Sequence, residues 1–366
     1  MVAGSVARHG AFHPLRVADV ERLTEDAVAL TFEVPAELRD AYRFAPGQHI
    51  ALRRYANGGE IRRTYSVCDP APAPGSEGPR RLRVAVRLVE GGEFSTYALK
   101  ELLAGETLEV MTPAGRFGHA LPLSGPGHYA AIVGGSGITP VLSIVATVLQ
   151  RQPEARFCLI RSDRTAASTM FLEEVADLKD RYPDRLQLVH VLSREEQQAG
   201  LPSGRLDQER LTGLLPALLR PQSVDGWFLC GPYGLVEDAE RALRALGVER
   251  ARIHQEIFHV DEGSAKAPAR AGDATGATVS ATLDGRAGSW PAREGESVLE
   301  TVLRNRADAP YACKGGVCGT CRVRLVEGEV RMDRNFALEP DELAAGYVLA
   351  CQSHPVTERV AVDFDA

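Results

Sequence analysis

Four cysteines near the C-terminal end, Cys313, Cys318, Cys321 and Cys351, are spaced Cys-x4-Cys-x2-Cys, with 29 residues before the last. This spacing constrains the chain more than any other feature, because it supplies the four thiolates that hold a 2Fe-2S cluster. The intervening residues suit the same chemistry. Lys314-Gly315-Gly316-Val317 and Gly319-Thr320 let the backbone fold tightly around an inorganic core and aim N–H groups at its sulfurs. A structural zinc site more often joins two Cys-x2-Cys units. The segment is expected to carry electrons one at a time.

A length of 366 residues exceeds what one hydrophobic core organises and implies two or three domains. The other cysteines, Cys68, Cys158 and Cys230, are scattered, so no disulfide framework is expected and a reducing cytoplasm fits best. Residues Met1 to Leu15 lack the apolar stretch of a signal peptide. Tyr129 to Gln150 carries no charge over 22 residues, but Gly134-Gly135-Ser136-Gly137 and Thr139-Pro140 interrupt it where a membrane span needs continuity. It reads as a strand, a glycine turn and a buried helix, so no membrane association is expected. The net charge of −7 divides into −4 for Gly276 to Ala366 (10 Lys/Arg against 14 Asp/Glu) and −3 for the rest. Nucleic acid is not an expected partner.

The chain reads as a multidomain protein with three architectures. Alternating stretches such as Leu15 to Val20, Ala29 to Val34 and Leu82 to Val86, broken by Pro and Gly turns, imply an antiparallel β-barrel within residues 1–122. Over 123–260 the pattern becomes apolar runs followed by helical segments: Ala130–Val133, Phe157–Ile160, Leu186–Leu192, Trp227–Cys230 and Ile253–Ile257. Five such runs imply an α/β domain with a doubly wound parallel sheet. Residues 261–276 lose all apolar periodicity and read as a linker. Over 277–366 short strands return around a helix beginning near Ser297, where Ser297 and Glu300 have capping-box spacing, giving an α+β domain.

In a doubly wound sheet, ligands bind beyond the carboxyl ends of the strands. There stand Gly134-Gly135-Ser136-Gly137-Ile138-Thr139-Pro140, whose amides and helix start suit a pyrophosphate, and Cys230-Gly231-Pro232, which permits close backbone approach. By itself Cys230 would read as a buried structural thiol. In the barrel, Arg63-Thr64-Tyr65-Ser66 offers a cation, an aromatic face and a hydroxyl, with Arg63 and Tyr65 on one side of a strand. Gly91-Gly92-Glu93-Phe94-Ser95-Thr96 then precedes a helical stretch through Leu103 and forms a second phosphate-sized cradle.

Taken together, Arg63-x-Tyr65-Ser66, Gly92-x-x-Ser95-Thr96, the Gly134–Pro140 loop and Cys230-Gly231-Pro232 resemble the ferredoxin–NADP reductase superfamily, followed by a plant-type, β-grasp ferredoxin. Three stretches resemble the reductase components of phenylacetyl-CoA epoxidases, which are multicomponent bacterial di-iron monooxygenases: Tyr42 to His49, Pro310 to Cys318 and Leu338 to Leu349. The resemblance implies that Tyr65 packs on the FAD isoalloxazine, that Ser66 lies near its reactive N5 edge, and that Arg63, Ser95 and Thr96 hold FAD phosphate. It implies that Thr139 and Cys230 line the nicotinamide site and that Phe258 lies near the other flavin face, although Phe258 also reads as a core residue. Ser193-Arg194, helped by Arg164, resembles the pair that NADP-using relatives place on the 2′-phosphate, whereas Asp163 would suit the free ribose of NADH. The implied activity is electron transfer from NADPH through FAD and the cluster to an oxygenase component. Reductases of steroid or ring-hydroxylating oxygenases remain open alternatives, as does a redox-sensing binding protein.

Overall fold

The computed structural model describes residues 11–56, 58–119, 121–122, 124–196, 203–259, 276–306 and 309–366. By compactness the chain divides into a larger unit, which carries the second sheet and all of the first except Phe12 and Arg62–Thr64, and a smaller one, which carries the C-terminal sheets. Except for Gly276, the linker expected over 261–276 lies outside the described residues.

In the larger unit, strands β1 (Phe12–Thr24), β2 (Ala27–Glu33), β3 (His49–Ala56), β4 (Gly59–Ser66), β5 (Arg81–Arg87) and β6 (Thr107–Met111) form a sheet of order β4-β3-β6-β1-β2-β5. Val67, just past β4, bridges Val84 of β5, which brings the two edge strands together and curls the sheet into a barrel. The alternation read from the sequence is the cause: Leu15, Val17, Leu30, Phe32, Leu82, Val84 and Val86 point into one buried cluster. Helix α1 (Glu93–Lys100) follows β5. It stops three residues short of the expected Leu103, because Glu101 and Leu102 both donate to the Tyr97 carbonyl and turn the chain away.

The second sheet contains β7 (His128–Gly134), β8 (Arg156–Asp163), β9 (Leu186–Leu192), β10 (Gly226–Pro232) and β11 (Ile253–His259), in the order β11-β10-β7-β8-β9, with every neighbouring pair parallel. Helices α2 (Ile138–Arg151), α3 (Leu172–Arg181), α4 (Gln208–Leu218) and α5 (Tyr233–Ala245) make the crossovers. The uncharged run is explained by α2, which is buried from Ile138 to Leu149. No helix among the described residues is long and apolar enough to cross a membrane.

The smaller unit has β12 (Thr278–Leu283), β13 (Arg286–Pro291), β14 (Arg322–Glu327), β16 (Tyr347–Leu349) and β18 (Arg359–Asp363) in the order β13-β12-β18-β14-β16, beside a two-stranded sheet of β15 (Val330–Met332) and β17 (Ser353–Pro355). Helices α6 (Val298–Leu303) and α7 (Pro340–Ala344) complete it. Ser297 caps α6 as its spacing implied: its hydroxyl accepts from the Glu300 N–H, and the Glu300 carboxylate accepts from the Ser297 N–H. Val298, Leu299 and Val302 then bury against β12, β14 and β18 in a β-grasp arrangement.

Candidate flavin, nucleotide and cluster sites

Two glycine-bearing turns interlock at the carboxyl ends of β7 and β10. A Cβ on Gly137 would lie 2.1 Å from the Cys230 carbonyl oxygen and 2.7 Å from the Gly231 nitrogen. Gly231, at φ +149°, packs on Gly134 so closely that a Cβ would meet its nitrogen at 2.9 Å. Only hydrogen side chains allow the two backbones this approach. The structure therefore joins two motifs that lie nearly a hundred residues apart. Thr139, almost fully buried, donates to the Ser136 carbonyl at 3.0 Å and braces the start of α2, where the buried Pro140 fits because a first-turn residue needs no N–H partner.

Cys230 is fully buried, and burial, reinforced by the nearby Glu256 carboxylate, pushes its thiol well above the ordinary range. It pairs in register with Val133 of β7 and with Glu256 of β11. The Glu256 carboxylate in turn reaches the barrel. Ser66, itself buried, donates to Glu256 Oε2 at 3.4 Å, and His49 Nδ1 lies 3.9 Å from Glu256 Oε1. Sequence reasoning missed Glu256 and His49. The available signal was an acid two residues before Phe258, which the period of two places on the same face of the strand as Phe258. Phe258 is half-buried and packs on the core cluster that contains Cys230.

In the barrel, the Tyr65 ring lies 5.6 Å from that of Phe94 at the start of α1, so the β4 motif and the Gly91–Thr96 loop adjoin. Arg63 is exposed, and its guanidinium donates to the Arg62 carbonyl. The two hydroxyls expected to face phosphate serve the turn itself: Ser95 Oγ accepts from the Val89 N–H and donates to the Gly92 carbonyl, and Thr96 Oγ1 donates to that same carbonyl at 2.8 Å. A Cβ on Gly92 would meet Ser95 Oγ at 2.7 Å, so this glycine keeps the cradle tight.

Arg164 and Arg194 are exposed beyond the ends of β8 and β9. The Ser193 N–H donates to Asp163 and the Arg194 N–H to Arg164, which extends the parallel pairing and sets the two arginines side by side. Asp163 does not face this surface. Its buried carboxylate accepts from Arg161 Nε at 3.1 Å and lies 3.0 Å from His190 Nε2, so it is turned inward, away from the ribose role considered for it. A further cation stands at the glycine loop: Arg87 of β5 places Nη1 3.2 Å from where a Gly135 Cβ would lie. No sequence pattern cued this contact, which depends on how the barrel packs on the second sheet.

In the smaller unit the four cysteine thiols come as two adjoining pairs. The Cys313 and Cys318 thiols influence one another, as do those of Cys321 and Cys351. Two pairs suit two irons with two thiolates each. Cys313 is shifted toward thiolate by the Cys318 thiol, against burial, and by the N–H groups of Gly315, Val317 and Cys318. Cys351 is shifted the same way by Cys321, with help from the Gln352 amide and the Gly316 N–H. These donors match what a cluster's sulfurs require.

Three family models match in chain order: an oxidoreductase FAD-binding domain over 14–119, an oxidoreductase NAD-binding domain over 131–241 and a 2Fe-2S iron-sulfur cluster binding domain over 281–356. Over 97% of its length the chain is 47% identical to 98% of a component of the 1,2-phenylacetyl-CoA epoxidase of Escherichia coli. The chain belongs to the ferredoxin–NADP reductase superfamily. It is also 34% identical, over 96% of both chains, to the ferredoxin reductase component of the 3-ketosteroid-9-alpha-monooxygenase of Rhodococcus rhodochrous. The phthalate dioxygenase reductase structure shares the fold, at 21% identity and a TM-score of 0.56, over 97% of this chain and 98% of that one. A ferredoxin NADP+ reductase from Neisseria gonorrhoeae, solved with FAD and NADP, covers 68% of this chain and 99% of its own at 25% identity and a TM-score of 0.56. This reductase chain is an oxidoreductase with FAD-, NAD- and 2Fe-2S-binding domains.

Proposed function

We propose that this reductase takes electrons from NADPH and delivers them, in the cytoplasm, to the oxygenase component of a phenylacetyl-CoA epoxidase. The observation that carries the choice of oxygenase is the 47% identity, over nearly the whole of both chains, to the Escherichia coli epoxidase component. The geometry supports the division of labour. When bound, FAD accepts a hydride from the nicotinamide and the 2Fe-2S cluster relays single electrons onward.

This chain's residues hold and orient those groups. Tyr65 supplies the aromatic face for the isoalloxazine, and Phe94 backs it. Arg63 and the first-turn N–H groups of α1 bind FAD phosphate, with Gly92 shaping the turn and Ser95 and Thr96 spending their hydroxyls on its carbonyl. The loop Gly134 to Pro140 and the turn Cys230-Gly231-Pro232 clasp the nicotinamide side, Phe258 closes it, and Arg87 faces the pyrophosphate. Cys230 stays a neutral thiol, so it packs without adding charge beside a transferring hydride. Ser66 sits at the N5 edge, held by Glu256. Arg164, Ser193 and Arg194 receive the 2′-phosphate, and inward-facing Asp163 removes the acid that would have favoured NADH. Cys313, Cys318, Cys321 and Cys351 hold the cluster.

The test is reconstitution with the phenylacetyl-CoA oxygenase components and NADPH, with NADH in parallel. Epoxide formed only with the intact chain, and faster with NADPH, is the expected result. NADPH oxidation and dye reduction without epoxide would keep the reductase and reject this oxygenase. The ketosteroid system, whose reductase component is 34% identical, would then be the next candidate.

A further inference from the structure

We infer that Asp26, in the turn between β1 and β2, is a positioning residue for the nucleotide: it fixes the Arg87 guanidinium so that one edge faces the glycine loop. This rests on reading Gly134 to Gly137 as the pyrophosphate cradle. Arg87 Nε donates to Asp26 Oδ2 at 2.8 Å, and Nη2 donates to the Ser168 carbonyl at 3.3 Å. These two bonds orient the planar fork, and Nη1 is then the nitrogen that lies against Gly135. Asp26 is itself anchored, since Thr24 Oγ1 donates to its Oδ1 at 2.8 Å and the Leu88 N–H to its carbonyl at 2.8 Å. The Arg87 side chain is only 16% exposed, so it has little room for another rotamer. A cation that completes the site on the second sheet is thus aimed by a carboxylate of the flavin barrel.

Elementary electrostatics makes the opposite prediction from positioning, which gives the idea a sign test. A carboxylate beside an anion site should weaken anion binding through its field, so deleting it should tighten binding if positioning is unimportant.

The experiment is calorimetric titration of the oxidised holoprotein with NADP+ and with NAD+, alongside FAD content and thermal unfolding. The variants are Asp26→Ala, Asp26→Asn, Arg87→Ala and the Asp26→Ala/Arg87→Ala double. Arg87→Ala should weaken both nucleotides about tenfold or more, the range for a charge-assisted hydrogen bond. Asp26→Ala should weaken both several-fold by the same ratio, because the pyrophosphate is common to them, and should add almost nothing in the Arg87→Ala background. Asp26→Asn, which keeps an acceptor oxygen and loses the charge, should stay within about twofold of the parent; it decides the matter if the alanine variant fails to fold. Tighter binding in Asp26→Asn, unchanged binding in Asp26→Ala, or full additivity with Arg87→Ala would overturn the inference while leaving the cradle intact. If Arg87→Ala binds both nucleotides normally, the cradle reading of this face fails, and the inference with it.

Discussion

The nucleotide corner and the cluster loop are both rich in glycine, yet they use it for different physical reasons. At the nucleotide corner the decisive glycine is there for space: Gly137 has an ordinary φ near −60°, but a Cβ would lie 2.1 Å from a backbone oxygen that cannot move aside. In the cluster loop glycines are there for conformation: Gly316 and Gly319 stand at φ +79° and +66°, and even Lys314 is left-handed at +52°. Around Gly319 space is looser, with 3.6 Å from a Cβ to its nearest neighbour. One loop brings two strand ends together; the other bends the backbone so that its N–H groups turn inward toward the thiols. Similar composition therefore predicts different responses to mutation.

Gly137→Ala should cause the greatest damage, because the new methyl must displace the Cys230–Gly231 backbone. A loss of about 3 kcal/mol or more in thermal unfolding and loss of NADP+ binding by titration are expected. Gly316→Ala should cost about 1–2 kcal/mol, since alanine disfavours positive φ and a Cβ would meet the Arg334 carbonyl at 3.2 Å. It should lower cluster content measured from iron and visible absorbance, and leave flavin content alone. Gly315→Ala has neither problem, its nearest contact being 3.8 Å. It should change stability by less than about 0.5 kcal/mol and keep the cluster spectrum. If Gly315→Ala abolished the cluster while Gly137→Ala were silent, the comparison would be reversed.

A smaller effect concerns the thiols. Burial, with Glu256 adding to it, raises the folded pKa of Cys230, so its neutral form persists where an unfolded thiol near 8.5 would ionise. The sign follows: this preference supports folding fully below the unfolded pKa and is lost as pH rises above it. The rate of NADPH-driven flavin reduction should show no thiol inflection between about pH 7 and 9, and iodoacetamide should not label Cys230 in the folded protein. Rapid labelling at pH 8 would mean that the corner opens.

What could be read from the chain was whatever local periodicity or fixed spacing encodes. Alternation around Leu82, Val84 and Val86 announced a barrel strand, the Gly134 turn announced the break between β7 and α2, and Ser297 with Glu300 announced the start of α6. Contacts made only by packing distant elements were invisible. Glu256 and His49 lie more than two hundred residues apart, and Arg87 reaches Asp26 within the barrel and Ser168 across its junction with the second sheet. Ser95 and Thr96 were legible as a helix start. That their hydroxyls would be used by their own turn depended on rotamers the sequence does not specify. Asp163 was read as suiting a free ribose, as acids do in other dinucleotide sites, and its neighbour two residues earlier, Arg161, draws its carboxylate inward.

The central claim is that the larger unit performs hydride uptake without the cluster, which serves only onward transfer. Anaerobic stopped-flow mixing of NADPH with the Cys318→Ala holoprotein tests it directly. Flavin bleaching at the parent rate, with no cluster signal and no electron delivery to the oxygenase, is the expected result. Loss of flavin bleaching in a variant that folds and retains FAD would contradict it.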